Sequence, residues 1–390
     1  MTDGIENTKK AIIWLCLAHL ICDVYSGFLN PIMPFIAQKL GFSMAVATVI
    51  ISVSHICSSM LQPIFGFFAD NMLKRFFIFW GLLLGSIFVP LTPNAPSIAF
   101  LVVFMILGSI GNSFFHPQSI GFVNYFSNKE NCTSNMGVFM SLGSLGFAFG
   151  PLLAALITQV LGLDMISYTS IFGLVLAFSM FYCIPKLSNQ GIVPHHNEFF
   201  KSFKEIIFNR QMDYLMLVST MKSLITNAFC ILLPFLWKDM GHSPFFIGFA
   251  LFLFVFAGAI SSFLSPIVEK MFGSKAVIYF SMWATFPMMI GFWFVYKTHP
   301  IISIILFFSI GFATMLAQPV VMVWAQRTLP EYKSIVAGFI NGFCWGIVAL
   351  CMSVMGTFAQ NFGIMNVLLV VSILPALSSW FVRYLKEETA

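Results

Sequence analysis

A few polar side chains stand inside stretches that are otherwise apolar, and these are the residues able to do chemistry. His19 and Asp23 lie four apart in "AHLICDVYSGF", a spacing that puts both on one face of a helix. His116 sits in "GNSFFHPQS", with Asn112 one turn before it and Gln118 two residues after. His55, Lys222, Asn227 and Gln318 are further polar residues in apolar surroundings. An imidazole and a carboxylate held together can bind a proton and release it near neutral pH. Amides, imidazoles and a lysine can hold a polar or anionic molecule. Asp23 is the only acidic residue well inside an apolar run, since Asp213 stands at the entrance of its run. Asp23 is therefore expected to carry an exchangeable proton with His19 as its partner; the other reading is a His–Asp pair that locks one helix in place. Asn112, His116, Gln118, His55, Lys222, Asn227 and Gln318 form the expected binding set.

The same residue types argue against other chemistries. None of the eight cysteines forms a CxxC pair, so neither a disulfide framework nor a zinc site is expected. The histidines fall in separate runs without metal-ligand spacing, and no metal site is expected. There is no HExxH, no GxSxG and no pair of carboxylates within the apolar runs, so the chain is not expected to be an enzyme.

The elements that must position these residues follow from composition. Of 390 residues, 59% are hydrophobic and 8% charged, where a soluble domain carries about 25% charged residues. With a mean hydropathy of +0.93, the solvent is mostly lipid. Apolar runs predict twelve membrane helices near 11–38, 43–68, 76–92, 97–126, 134–161, 165–185, 212–237, 244–268, 276–296, 300–326, 334–359 and 364–384. The first ten residues are polar, and the run after them is longer than the ~7–15 residues of a signal sequence. It reads as a retained helix. On a rise of about 1.5 Å per residue, Asp23 is about 18 Å in, near the middle of a hydrocarbon core about 30 Å thick. A carboxylate there costs at least about 2.5–3.5 kcal/mol unless it is paired or meets water. Pro117 frees the carbonyl of Ser113 and is expected to bend its helix. Lys222 lies about 12 Å deep; its stem either snorkels to the interface or holds a fixed cation toward a solute.

One polar interruption, 186–211, contains "NEFFKSFKEIIF" at 197–208, which reads as an amphipathic helix on the membrane surface. It divides the chain into a six-helix bundle at 1–185 and another at 212–390. With the N-terminus in the cytoplasm, 15 of the 19 Lys and Arg fall on inner segments. The positive-inside rule then puts both termini in the cytoplasm. The net charge of +5 reports this topology and not nucleic-acid binding. The halves also echo one another: "SIG" at 109–111 recurs at 309–311, and His116-Pro117 is echoed by Gln318-Pro319. Similar halves of this kind mark secondary transporters.

Two motifs give the resemblance its shape. "GFFADNMLKR" carries Gly66, Asp70, Lys74 and Arg75 after the second helix, and a weaker copy with Glu269, Gly273 and Lys275 follows the eighth. A carboxylate at a helix end can hold the positive N-terminus of another helix. Further on, Gly137, Gly146, Gly150-Pro151 and Ala154-Ala155 make a flat ridge for close helix packing. The first motif resembles the loop signature of the major facilitator superfamily, with Asn71 in place of a basic residue and Leu73 in place of a glycine. The second resembles that superfamily's antiporter motif, with Ala-Ala for Gly-Gly. "AHLICDVYSGFLNPIMP", "LQPIFGFFAD", "FFHPQS", "GPLLAALI", "LSPIVEKMFGSK" and "AQRTLPE" resemble the fosmidomycin-resistance group over almost the whole chain.

The resemblance implies a twelve-helix all-α membrane fold of two pseudo-symmetric six-helix bundles working by alternating access. It implies proton-coupled efflux (antiport) of a small polar compound across the inner (plasma) membrane, of the kind that confers drug resistance. Gly66, Asp70, Lys74, Arg75, Glu269, Gly146, Gly150 and Pro151 become the expected conformational switch. One acid set against Lys222 and the histidines favours an anionic or zwitterionic solute. A proton-coupled importer of the same fold is the alternative. The expected partners are a small solute, protons and membrane lipid, with no nucleic acid, no cofactor beyond the proton gradient, and a monomeric chain.

Overall fold

The computed structural model describes residues 2–62, 64–65, 76–127, 132–184 and 196–386. Among them the chain is helix and turn with no strand. Apolar sequence in lipid leaves little choice, because every backbone N–H and C=O must be satisfied inside the segment that spans. The helices are α1 (Thr2–Leu40), α2 (Met44–Ser59), α3 (Phe76–Leu91), α4 (Ile98–Tyr125), α5 (Cys132–Val160), α6 (Ser170–Cys183), α7 (His196–Ile207), α8 (Arg210–Asp239) and α9 (Pro244–Phe272). Eleven described spans are long and apolar enough to cross a membrane, and α2 adds a shorter apolar helix. The loop motif with Gly66, Asp70, Lys74 and Arg75 lies outside the described residues.

Three of the expected helices are interrupted. The ninth is split at Ala284 into α10 (Ser274–Trp283) and α11 (Thr285–Val295). The tenth is split at Ala317 into α12 (Pro300–Leu316) and α13 (Gln318–Thr328). Pro287 and Pro319 sit just past these breaks, and a proline removes one helical hydrogen bond and crowds the preceding turn. The eleventh runs from α14 (Lys333–Gly338) through a π-helical turn, Phe339–Phe343, into α15 (Cys344–Phe362). The last helix is α16 (Ile364–Ser378). By contrast α4 continues as helix through Pro117. α7 falls on the predicted amphipathic stretch, with Ile206 buried and Lys201 and Lys204 exposed.

Contacts group the chain into two compact units. One comprises Met1–Phe42, Val53–Pro194 and His242–Phe249; the other comprises Ser43–Ser52, His195–Gly241 and Ala250–Ala390. Leu15, Ala18, Leu82, Phe115, Phe122 and Ala177 are buried together in the first, and Leu215, Val218, Ile278, Val320 and Ile340 in the second. Because lipid is as apolar as leucine, close fit holds such helices together. The ridge on α5 illustrates it. A Cβ on Gly146 would stand 2.2 Å from the carbonyl oxygen of Leu20, and one on Gly150 2.5 Å from that of Val24. Gly27 of α1 faces Pro151 across the same seam, where a Cβ would meet the proline ring at 2.8 Å.

The two halves repeat in detail. The turn after α1 uses Gly41 at φ 72° and the turn after α8 uses Gly241 at φ 81°, a left-handed conformation that glycine adopts freely. Ser43 Oγ then accepts from the N–H of Val46, and Ser243 Oγ from that of Phe246. A side chain on the first helix of each half also reaches a carbonyl on the fifth. His19 Nδ1 meets the Phe139 oxygen at 2.8 Å, and Ser219 Oγ donates to the Ile340 oxygen at 3.0 Å.

Candidate functional site

In the first unit, α1 brings His19 and Asp23, α4 brings His116, and α5 supplies a backbone carbonyl. His19 Nε2 lies 3.2 Å from Asp23 Oδ2, and His116 Nε2 lies 3.3 Å from Asp23 Oδ1. Both oxygens of the carboxylate are therefore engaged. The side chains of His19, Asp23 and His116 are 4%, 15% and 18% exposed, so the cluster grades from a sealed histidine to a more accessible one. Gly143 makes room for the sealed ring, since a Cβ there would meet His19 Cε1 at 2.3 Å. The ring also stacks on Phe139 with centroids 4.0 Å apart.

The hydrogen bonds of His19 restrict where protons can be. The Phe139 carbonyl only accepts, so His19 Nδ1 carries the hydrogen in that bond. In a neutral ring Nε2 is then a bare acceptor, and it faces a carboxylate oxygen, which also only accepts. One additional proton, on Nε2 or on Asp23, converts this opposition into a hydrogen bond. The ligand atoms of His19, Asp23 and His116 all lie within 4.8 Å of one another, a convergence that one transition-metal ion could also bridge. Spacing along the chain carries no sign of it, because α1 and α4 are distant in sequence.

Asn112 sits beside the cluster, its Oδ1 accepting from Cys22 Sγ at 3.5 Å. Gln118 reaches toward α3. It is buried, and its Oε1 accepts from the N–H of Ile78 at 2.8 Å, one of the unsatisfied donors at the start of α3. His55 is half-buried on α2 and stands outside the cluster.

In the second unit Lys222 of α8 is 2% exposed. Its Nζ donates to Gln318 Oε1 at 3.4 Å, and Gln318 Nε2 donates to Asn341 Oδ1 at 3.1 Å. Gln318 opens α13 at the break in its span, and Asn341 lies in the π-helical turn. Asn227 stays on its own helix, donating to the Ser223 carbonyl at 2.9 Å.

Residues 15–351 match the family described as Major Facilitator Superfamily. The chain belongs to that superfamily. It is a multi-pass membrane transporter of the secondary type, not an enzyme. The Fosmidomycin resistance protein of Escherichia coli (strain K12) is 25% identical over 383 residues, covering 93% of this chain and 89% of that one. A Probable nitrate transporter NarT of Staphylococcus epidermidis is 25% identical over 269 residues, 67% of this chain and 66% of that one. Among solved structures, a bacterial homologue of the human lysosomal transporter Spinster aligns with TM-score 0.74 at 12% identity over 97% of both chains. A point mutant of the nucleoside transporter NupG aligns with TM-score 0.75 at 14% identity over 97% of this chain and 100% of that one. At these identities the structures support the facilitator fold alone.

Within this facilitator the weaker loop motif has a concrete geometry. Glu269 Oε1 accepts from Ser274 Oγ at 2.6 Å, and Ser274 is the first residue of α10, after Gly273 at φ 84°. The carboxylate thus meets a helix N-terminus, where negative charge is favoured. Asn341 is absent from the binding set expected from sequence. Its signal is a single amide within the apolar run 334–359.

Proposed function

We propose that this transporter is a proton-coupled antiporter that exports a small polar compound, anionic or zwitterionic, from the cell. The observation that carries the reading is the opposition of His19 Nε2 and Asp23 Oδ2 at 3.2 Å. With His19 Nδ1 committed to Phe139, the pair is complete only with an added proton, and a group that must take up and give back one proton is what coupling to a proton gradient needs. His116, the most accessible member of the cluster, is the contact through which solute and proton compete for Asp23. Export is supported by likeness to a protein named for fosmidomycin resistance and by the Gly146–Gly150-Pro151 ridge. The anionic class is supported by Lys222, which has no carboxylate within 4.0 Å among the described residues. The 15 inner Lys and Arg of 19 support a plasma-membrane orientation with both termini in the cytoplasm. The solute is a drug, a siderophore or a metabolic acid. No cofactor is needed, and one chain forms the working unit.

The test is transport in vesicles of known sidedness under an imposed proton gradient, with solutes first found by comparing growth media with and without the gene. Exclusion of a compound from right-side-out vesicles supports export. The relative named as a probable nitrate transporter favours a second reading, proton-coupled import of a small anion, and accumulation in the same vesicles would establish it.

A further inference from the structure

We propose that Lys222, Gln318 and Asn341 form the binding site for an oxyanion group, a carboxylate or phosphonate, on the transported solute. This rests on the anionic class argued above and assigns it to particular donors. Lys222 is nearly sealed, yet its ammonium has three hydrogens and, among the described residues, one hydrogen-bond partner, a neutral amide oxygen at 3.4 Å. A charged donor satisfied in its resting state sits at about 2.7–2.9 Å from an ionised acceptor. Lys222 is held short of that, with no acidic partner among the described residues.

The polar chain leads outward from Lys222. Gln318 is half-buried and Asn341 is exposed, so a solute can reach the amides. Asn341 uses its Oδ1 to accept from Gln318, which leaves its own two N–H hydrogens available. An arriving oxyanion has two acceptor oxygens to offer. One takes the place of Gln318 Oε1 at Lys222 Nζ, and the other accepts from Asn341 Nδ2. Gln318 is the exchangeable member: its carbonyl holds the lysine in the empty site and gives way to the anion.

The backbone suits such an exchange. Gln318 begins a helix at a break within its span, and Asn341 lies on a π-helical turn. π-turns inside α-helices recur at functional sites, and here the carbonyl of Ile340 is held by Ser219 Oγ, one turn from Lys222 on α8. The donors are thus mounted on a pinned backbone. A purely structural amide pair would not require a lysine beneath it.

The experiment is thermal unfolding of the full-length protein in detergent, followed by tryptophan fluorescence, with sodium acetate or methylphosphonate as the probe and tetramethylammonium chloride as the control. The anions are expected to raise the midpoint in a concentration-dependent way, and the cation is not. Lys222→Gln should abolish the shift. Asn341→Leu, at an exposed position that is safe for folding, should weaken the apparent affinity about tenfold, the size of one hydrogen bond to a charged group. No anion-dependent shift in the parent protein, or equal shifts in the parent and in Asn341→Leu, would overturn the assignment. Asp23→Asn separates this claim from the coupling claim. Asp23→Asn protein that keeps the anion shift supports this site whatever becomes of coupling, whereas loss of the shift in Asp23→Asn with retention in Lys222→Gln overturns it.

Discussion

Asp23 turns Oδ2 toward Nε2 of His19, 3.2 Å away on the same helix, and this contact lacks a hydrogen bond unless a proton is added to it. The other histidine nitrogen is tied to α5, so rotation of the ring cannot relieve the opposition. A membrane carboxylate held in this way suits the proton-coupling role proposed for Asp23. Asp23→Asn presents an amide that neither ionises nor takes up a proton. Transport driven by a pH gradient should fall to the level of empty vesicles, while solute exchange without a gradient persists. Full gradient-driven transport by folded Asp23→Asn protein would remove Asp23 from the coupling role.

His116 reaches the same carboxylate from α4 and is its more accessible partner. Its ring pairs with a side chain and not with a backbone group, so the fold should survive its removal. His116→Ala should abolish transport with insertion intact, measured as uptake into proteoliposomes against the amount of folded protein recovered. Unchanged transport would confine His116 to packing.

His19 is different because it holds structure as well as charge. His19→Ala removes one hydrogen bond to the Phe139 carbonyl, which keeps its bond within its own helix, a loss of about 0.5–1.5 kcal/mol, and removes a ring stacked at 4.0 Å. The thermal midpoint should drop well below that of Asp23→Asn, which keeps the His19–Phe139 bond. Equal midpoints would mean that this bond contributes nothing.

Much of this is legible in the sequence, and the limits have physical causes. Long apolar runs locate helices because lipid demands them, but the breaks at Ala284 and Ala317 do not show in them, since the apolar runs continue through Pro287 and Pro319. His19 and Asp23 are paired by a four-residue spacing, which is local information. Their meeting with His116 depends on how α1 and α4 pack, which no local spacing encodes; only the likeness of "FFHPQS" to a known group points there. Gln118 reads as a binding residue because a buried amide in lipid looks functional; that its Oε1 also accepts from the Ile78 N–H at the start of α3 depends on how α3 and α4 pack, which no local spacing encodes. Asn341 escapes notice for the converse reason, since a single amide in an apolar run reads as helix packing until its partner Gln318 is known.

The three-residue cluster admits a metal on geometry alone, its ligand atoms lying within 4.8 Å of one another. Proton coupling needs none. Dialysis against a chelator should leave gradient-driven transport unchanged, and elemental analysis of the purified protein should find no stoichiometric zinc. Loss of transport on chelation, restored by a divalent ion, would transfer the cluster from proton to metal chemistry.

The seam between α1 and α5 offers a test of how packing supports the cluster. At Gly146 a Cβ would lie 2.2 Å from the Leu20 oxygen. That atom is backbone, so α1 itself must move away. Leu20 is adjacent to His19 and three residues from Asp23, and the displacement therefore reaches the His19–Asp23 pair. Gly146→Ala should lower stability by about 1–3 kcal/mol, the usual cost of overpacking, and depress transport with it. Gly137, earlier on α5, has nothing within 4 Å of an added Cβ. Gly137→Ala should leave transport intact and hold or raise stability, since alanine is favoured over glycine in a helix interior by about 0.5–1 kcal/mol. Thermal melts of the two variants in the same detergent decide the matter. If Gly146→Ala melts with the parent protein, the close approach of α1 and α5 is not what positions His19 and Asp23.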